Sequence, residues 1–143
     1  LRTRGLLGDL GPLYAHDSSI PTSGGLFPIP NNGCASARPF MAQGILVIPL
    51  SMPRDGSLRF LGHSPRHVLE IWKQCAQRIA DSGGVVVHLT HCERRFSGHP
   101  KYFGAYRDFL EYLAASPRFS FSTPDEVARV HGAALAGPGG AHG

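Results

Sequence analysis

The chain has 143 residues, 42% of them hydrophobic, and a formal net charge of +4 at pH 7. This length can bury one ordinary core, so we expect one domain or part of one. The arginines behind the charge are scattered, without the basic stripe interleaved with aromatic rings that binds nucleic acid, and this excludes nucleic acid as an expected partner. No apolar run approaches the roughly 20 residues that cross a bilayer. We therefore expect a soluble protein without a membrane partner.

The cysteines bear on the compartment, and the first residues bear on whether the chain is part of a longer one. Cys34, Cys75 and Cys92 are odd in number and irregularly spaced, which favours neither a disulfide framework nor a zinc knuckle. A reducing compartment, the cytoplasm, is the expected location. The sequence opens without Met, on a Leu/Arg pattern like the later turns of a helix, so we expect the chain to be cut from something longer.

The first part of the chain predicts two strands around a long loop. A brief strand is expected over residues 13–16, directly before Asp17. Residues 20–40 hold four prolines and three glycines, which argues against regular structure and favours a surface loop. Residues 45–48 form an apolar, partly β-branched run, and Arg54 and Asp55 follow it.

The middle of the chain predicts a helix. Ser64 offers a capping hydroxyl, and Pro65 suits the first helical position because its missing donor is harmless there. Apolar residues then recur at helical spacing to about Ser82, and Gly83 ends the helix. They are Val68, Leu69, Ile71, Trp72, Cys75, Ala76 and Ile79.

Residues 83–96, GGVVVHLTHCERRF, are the most informative stretch. Three valines after two glycines predict a short buried strand, because branching at Cβ suits the pleated backbone. In parallel sheets ligands bind beyond the carboxyl ends of the strands, and His91 and Glu93 lie at that end. The alternative is a histidine satisfied by a loop carbonyl, with charges that face water.

The last part of the chain predicts two helices and a strand. A helix is expected from about Tyr102 to Ala115, a strand over residues 119–122, and a closing helix after the capping box at Thr123. The chain from Gly132 is mostly Ala and Gly. We therefore predict a domain over residues 1–131, a flexible tail over residues 132–143, and an α/β fold with mostly parallel strands and packed helices.

Polar side chains follow three of the predicted strands. Asp17 follows the first, Arg54 and Asp55 the second, and His91 and Glu93 the third. In a parallel sheet or barrel these positions converge. A histidine can act as a general acid, and a carboxylate that orients its ring also favours the charged form. Asp17 and Asp55 are both candidates for that carboxylate, although Asp17 also fits a turn residue that bonds its own backbone.

Other histidines and aromatic residues have plainer interpretations. His63 and His67 are four apart, but His63 precedes the helix and no third ligand is obvious, so a metal role is disfavoured. His88 is offset by three from His91, points to the opposite strand face and is predicted to be structural. Core positions rather than a sugar-stacking platform are predicted for the larger rings. These are Trp72, Phe103, Tyr106 and Phe109.

Several segments together resemble the carboxyl-terminal half of the polysaccharide deacetylase family, the NodB-type carbohydrate esterases. No single segment is specific, but their order and spacing are, and they cover the chain from about Leu10 to Val130. The matching segments are Tyr14 to Ser19 (YAHDSS), Gly33 with Cys34, Arg38 to Phe40 (RPF), Ile48 to Asp55 (IPLSMPRD), Trp72 with Gly83 and Gly84, and Leu89 to Glu93 (LTHCE).

The resemblance implies the carboxyl-terminal half of a distorted (β/α) barrel. It also implies a metal-dependent hydrolase, usually with zinc, that removes acyl groups from N-acylated sugars or cleaves related C–N bonds. His91 would be the general acid that protonates the leaving amine, and Asp17 and Asp55 would line or orient the pocket. The family's aspartate pair and H-x-x-x-H segment, which supply the base and the metal ligands, belong to an earlier half that this sequence does not contain. Cys92 stands where many relatives have proline.

These implications set the expectations for function. We assign His91 and Asp17 as catalytic, and Arg54, Asp55 and Glu93 as binding a carbohydrate or another small N-acylated substrate. The chain alone is expected to be inactive, to bind no zinc or other divalent metal, and to self-associate through exposed sheet edges. The alternatives are a non-catalytic carbohydrate-binding or scaffold module, and a small metalloprotein. The latter would use His63, His67, His91 and Cys92.

Overall fold

The computed structural model describes residues 16–17, 37–42 and 45–135. Helices make up 52% of them. The strands are β1 His16–Asp17, β2 Phe40–Ala42 and β3 Ile45–Val47. The helices are α1 Asp55–Phe60, α2 Pro65–Asp81, α3 Pro100–Ala115 and α4 Pro124–Leu135.

A small sheet lies at the start of the described chain, in the order β1-β3-β2. β1 runs parallel to β3, with Asp17 opposite Val47, and β2 runs antiparallel to β3, with Phe40 opposite Val47. The carboxyl ends of β1 and β3 therefore meet at one edge of the sheet. The chain leaves that edge through residues 48–54 and reaches the first turn of α1.

The predicted fold class, the carboxyl-terminal half of a distorted (β/α) barrel with mostly parallel strands, is wrong. The described strands contain only two or three residues each, and one of their two pairings is antiparallel. Four helices carry most of the regular structure. The described residues are thus a helix-rich unit with a small mixed sheet.

The predicted buried strand at residues 85–87 is the main difference. Two main-chain groups of this segment bond to a side chain: the Ser51 hydroxyl donates to the Val85 carbonyl at 2.7 Å and accepts from the Val87 amide at 2.8 Å. Pro53 lies just beyond and has no N–H to donate. Two backbone bonds also reach the valines, but from two different segments: the Val85 amide donates to the Ala37 carbonyl at 2.8 Å, and the Met52 amide donates to the Val87 carbonyl at 3.2 Å. Residues 85–87 therefore form no continuous ladder with one neighbouring strand.

The predicted strand at residues 119–122 is also absent. The Phe119 amide bonds to the Ser116 carbonyl at 3.2 Å in a turn, and Phe121 is exposed. α4 follows with the predicted capping box, in which Glu126 Oε2 accepts from the Thr123 amide at 2.7 Å. The helix continues to Leu135, past the point at which a tail was expected.

The predicted middle helix is confirmed as α2. Ser64 caps it by accepting from the His67 amide at 3.3 Å, and Pro65 occupies the first position. Beyond Asp81, Gly83 takes φ +68°, a left-handed conformation that suits glycine and ends the helix.

The core lies where α2 packs against α3, with residues 52 and 58 beneath them. Trp72 and Phe109 are fully buried there, as the sequence predicted, whereas Phe103 is 55% exposed. Phe103 was wrongly predicted as core because it lies toward the edge of the α3 apolar face. The buried side chains of this cluster are Met52, Leu58, Val68, Trp72, Ala76, Ile79, Phe109 and Leu113. No helix in the described part of the chain is both long and apolar enough to cross a membrane.

Candidate functional site

Asp55 opens α1 at a position fixed by the core. The indole N–H of Trp72, itself fully buried, donates to the Pro53 carbonyl at 3.0 Å. This bond fixes the backbone two residues before Asp55. The Asp55 side chain is 1% exposed and points back into the protein at the junction between α1 and the segment after residue 90.

The Asp55 carboxylate accepts four hydrogen bonds. Oδ1 accepts from the Gly56 amide at 2.7 Å and contacts the Nδ1 atom of His91, also at 2.7 Å. Oδ2 accepts from the His91 amide at 2.9 Å and from the Ser97 amide at 3.1 Å. The carboxylate therefore holds both the ring and the backbone of His91.

These bonds determine the charge of Asp55. Burial alone would raise the pKa of Asp55, but the hydrogen bonds from His91, Ser97 and Gly56 outweigh it and lower the pKa below its ordinary value. The carboxyl group is thus ionised at neutral pH, which makes it an acceptor only. The Nδ1 atom of His91 must then be the donor in the 2.7 Å contact, and its proton is fixed on that nitrogen.

The ring of His91 is partly open to solvent. The side chain keeps 32% of its surface exposed, in contrast to its partner. The ring packs at a tilt against Phe96, with 4.8 Å between the ring centroids. Gly56 makes room for this pair, because a Cβ atom there would lie 3.2 Å from Phe96 Cε1 and 3.8 Å from His91 Cε1.

Residues 91–97 form a compact loop, here called the 91–97 loop. The Glu93 carbonyl accepts from the Phe96 amide at 2.8 Å and from the Gly98 amide at 3.2 Å. Gly98 is required, since a Cβ atom there would lie 1.9 Å from the Cys92 carbonyl oxygen. Two residues beyond the loop, His99 caps α3 by accepting from the Lys101 amide at 3.3 Å.

The structure brings together only some of the predicted site residues. Of the two aspartates proposed as the partner of His91, Asp55 is the one in contact. Arg54 is half-buried immediately before it, and Glu93 is exposed on the 91–97 loop. The backbone of Asp17 lies in β1 beside β3, but its side chain falls outside the described part of the structure.

Three features of the site were not predicted from the sequence. They are the hydrogen bond from the Ser97 amide to Asp55, the close approach of Phe96 to Gly56, and the Trp72 hydrogen bond that fixes the backbone before Asp55. The glycine directly after Asp55 was the available signal, because a glycine at the start of a helix marks a close approach. Nothing in the sequence indicated that the Ser97 amide returns to the same carboxylate.

His88, three residues before His91, lies in a different environment. Its ring packs edge-on against Trp72 with 4.5 Å between centroids, and also contacts Phe109 at 5.2 Å and Tyr106 at 6.1 Å. Neither ring nitrogen has a hydrogen-bond partner among the described residues. Burial lowers the pKa of His88 to about 4, although the charge of Asp55 opposes this shift. The ring is a neutral part of the core.

The described side chains do not fit a zinc site. Zinc takes about three protein ligands plus an open position, and within residues 37–41 and 46–131 no three His, Cys, Asp or Glu side chains come together in this way. The rings of His63 and His67 stack on each other with 4.8 Å between centroids and 6° between planes. Stacked rings do not direct two nitrogens at one ion.

A comparison of the chain with models of known protein families, with curated proteins and with solved structures finds no match. The assignment of a function therefore depends on the geometry of the Asp55–His91 pair and on the sequence resemblance.

Proposed function

We propose that this chain supplies the general acid of a hydrolase of polysaccharide deacetylase type, acting on N-acylated sugars or related C–N bonds. His91 is the acid and Asp55 orients it. The observation that carries the proposal is the 2.7 Å contact between His91 Nδ1 and a carboxylate that is 1% exposed, with 32% of the histidine surface left open. A buried carboxylate that orients a partly accessible histidine is an arrangement that general acid–base catalysis uses.

The proposed step is the release of the amine. After water has added to the acyl carbon, the C–N bond breaks readily only if the nitrogen receives a proton. Nε2–H of His91 donates that proton, the nitrogen leaves as an amine, and the electron pair of the bond stays with it. Asp55 holds the opposite side of the ring and stabilises the imidazolium before the transfer. General acid catalysis of this kind contributes about 10²- to 10⁴-fold in rate.

Arg54, Glu93 and Asp17 have proposed roles beside the pair. Arg54 precedes Asp55 directly and Glu93 follows His91 by two residues, so both are proposed to contact the substrate. Asp17 remains a proposed catalytic residue because β1 ends beside β3, whose chain leads to Asp55. No step of the proposal depends on a metal bound by the described residues.

The test is acetate release from an N-acetylated chito-oligosaccharide by the protein as its gene encodes it. We expect His91→Ala and Asp55→Asn each to lower kcat about 100-fold or more, because the first removes the proton donor and the second its charged partner. His67→Ala is the matched control: it removes an exposed histidine and should leave kcat within twofold.

Two outcomes would contradict the proposal. One is full activity in His91→Ala. The other is no acetate release by the wild-type protein from any N-acetylated sugar. If both variants then still bind sugar, the behaviour is that of a non-catalytic carbohydrate-binding module.

A further inference from the structure

Arg59 lies one helical turn after Asp55 on α1 and points at the same loop. Its Nη1 atom is within hydrogen-bond distance of the Arg94 carbonyl at 3.5 Å and the Phe96 carbonyl at 3.4 Å, and it is closest to the carbonyl of Arg95. A guanidinium has donors and no acceptor, so every one of these contacts is a donation from Arg59.

α1 therefore holds the 91–97 loop with two opposite charges. Asp55 accepts from the amides at the two ends of the loop, those of His91 and Ser97. Arg59 donates to carbonyls of the residues between them. The anion accepts from backbone amides and the cation donates to backbone carbonyls of one short segment, so the helix fixes the position of that segment at both ends and in the middle.

The guanidinium of Arg59 is itself held in place. Its Cζ atom lies 4.9 Å from the centroid of the Tyr102 ring, a cation–π contact at the start of α3. The Tyr102 hydroxyl donates to the His63 carbonyl at 2.8 Å, in the connection that follows α1. A planar donor that is already oriented loses less freedom when it binds the loop.

We propose that Arg59 is a positioning residue for the Asp55–His91 pair: it anchors the middle of the 91–97 loop, so that the backbone and the ring of His91 both reach the Asp55 carboxylate. Arg59 acts through the loop and does not touch the reacting atoms. The inference rests on the proposed function for its catalytic meaning, but the anchoring can be measured without turnover.

The first measurement is amide hydrogen exchange by NMR in Arg59→Met. We expect exchange at His91 and Ser97 to accelerate at least tenfold, because both amides depend on the loop staying closed on Asp55. The amides of Trp72 and Ala76 in α2 should be unchanged. Arg59→Lys keeps the charge without the planar donors and should give a smaller acceleration. Arg66→Met, which removes an exposed arginine, should have no effect.

The second measurement is the titration of the Asp55 carboxyl carbon in the same variants. Loosening of the loop removes acceptor contacts that lower the pKa of Asp55, so this pKa should rise in Arg59→Met toward the ordinary value of 3.8. His91 bonds to Asp55, the charge of Asp55 acts on His88, and the cations Arg54 and Arg59 lie on the same segment as Asp55. Because Arg59→Lys conserves the charge, any rise seen in it reports loop geometry.

Two results would overturn the inference. Uniform acceleration of exchange at all amides would show that Arg59 contributes only to overall stability. Unchanged exchange at His91 and Ser97 would show that Arg59 does not anchor the loop. A wild-type protein that releases no acetate would defeat the proposed function and leave both of these readouts intact. If the protein is active, kcat in Arg59→Met should fall about tenfold.

Discussion

His88 and His91 lie three residues apart on one segment, and the Asp55 carboxylate interacts with both. One ring is nevertheless buried and the other is partly exposed. His88 is enclosed by Trp72 and other rings, and burial lowers its pKa to about 4. His91 keeps 32% of its side-chain surface and has a carboxylate on Nδ1. The comparison shows that a hydrogen-bonded carboxylate and an open face, and not closeness in the sequence, distinguish the proposed catalytic histidine from the core histidine.

The largest effect is expected at Asp55 itself. Asp55→Ala leaves the His91 and Ser97 amides without their acceptor, and each unsatisfied buried donor costs about 1 to 3 kcal/mol, so unfolding free energy should fall by roughly 4 kcal/mol. Urea denaturation at pH 7 measures it. The control is Asp81→Ala, which breaks an exposed ion pair with Arg118 and should cost less than about 1 kcal/mol. If both variants lose the same small amount of unfolding free energy, the Asp55 hydrogen bonds do not stabilise the fold.

The next effect is a pH dependence that originates at His88. The unfolded side chain has its ordinary pKa of 6.5 and the folded one about 4, so the unfolded state binds the proton between these values. The contribution of His88 is complete above pH 6.5 and is lost as the pH falls to about 4, by roughly 3 kcal/mol. Asp55 adds a further loss at lower pH, because its pKa is lowered below 3.8.

Unfolding free energy measured from pH 8 to pH 3 separates these contributions. His88→Phe should remove the loss between pH 6.5 and 4 and retain the later one, since phenylalanine fills the ring site and has no nitrogens to satisfy. The control His67→Phe should retain both losses of unfolding free energy. A His88→Phe protein with the wild-type pH profile would assign the dependence to another group.

The helices were predictable because their signals are local. Ser64 and Pro65 mark the start of α2, and the capping box at Thr123 marks the start of α4; each acts within one turn of its own backbone. The exposed position of Phe103 was missed, because the edge of an apolar helix face cannot be located without the partner that covers it.

The strands could not be predicted in the same way. Val85 and Val87 have the expected preference for a pleated backbone, but a strand also needs a neighbour with free donors and acceptors. Ser51, 34 residues before Val85, bonds through its hydroxyl to the Val85 carbonyl and the Val87 amide, where a strand would need backbone partners. A contact between residues so distant in sequence leaves no local pattern.

The site was partly predictable for the same physical reason. His91 and Asp55 were identified as candidates by residue type and by their position after apolar runs, and the structure places them in contact. The four hydrogen bonds to the carboxylate and the contacts of Arg59 with loop carbonyls depend on the path of the 91–97 loop. That path is set by tertiary contacts.

The most direct test of the account is the tautomer of the His91 ring, measured by ¹⁵N NMR on the neutral imidazole. We expect a proton on Nδ1, hydrogen-bonded to Asp55, and a bare Nε2, with this preference lost in Asp55→Ala. A neutral ring protonated on Nε2 with a bare Nδ1 would contradict it, because the carboxylate would then not orient the ring.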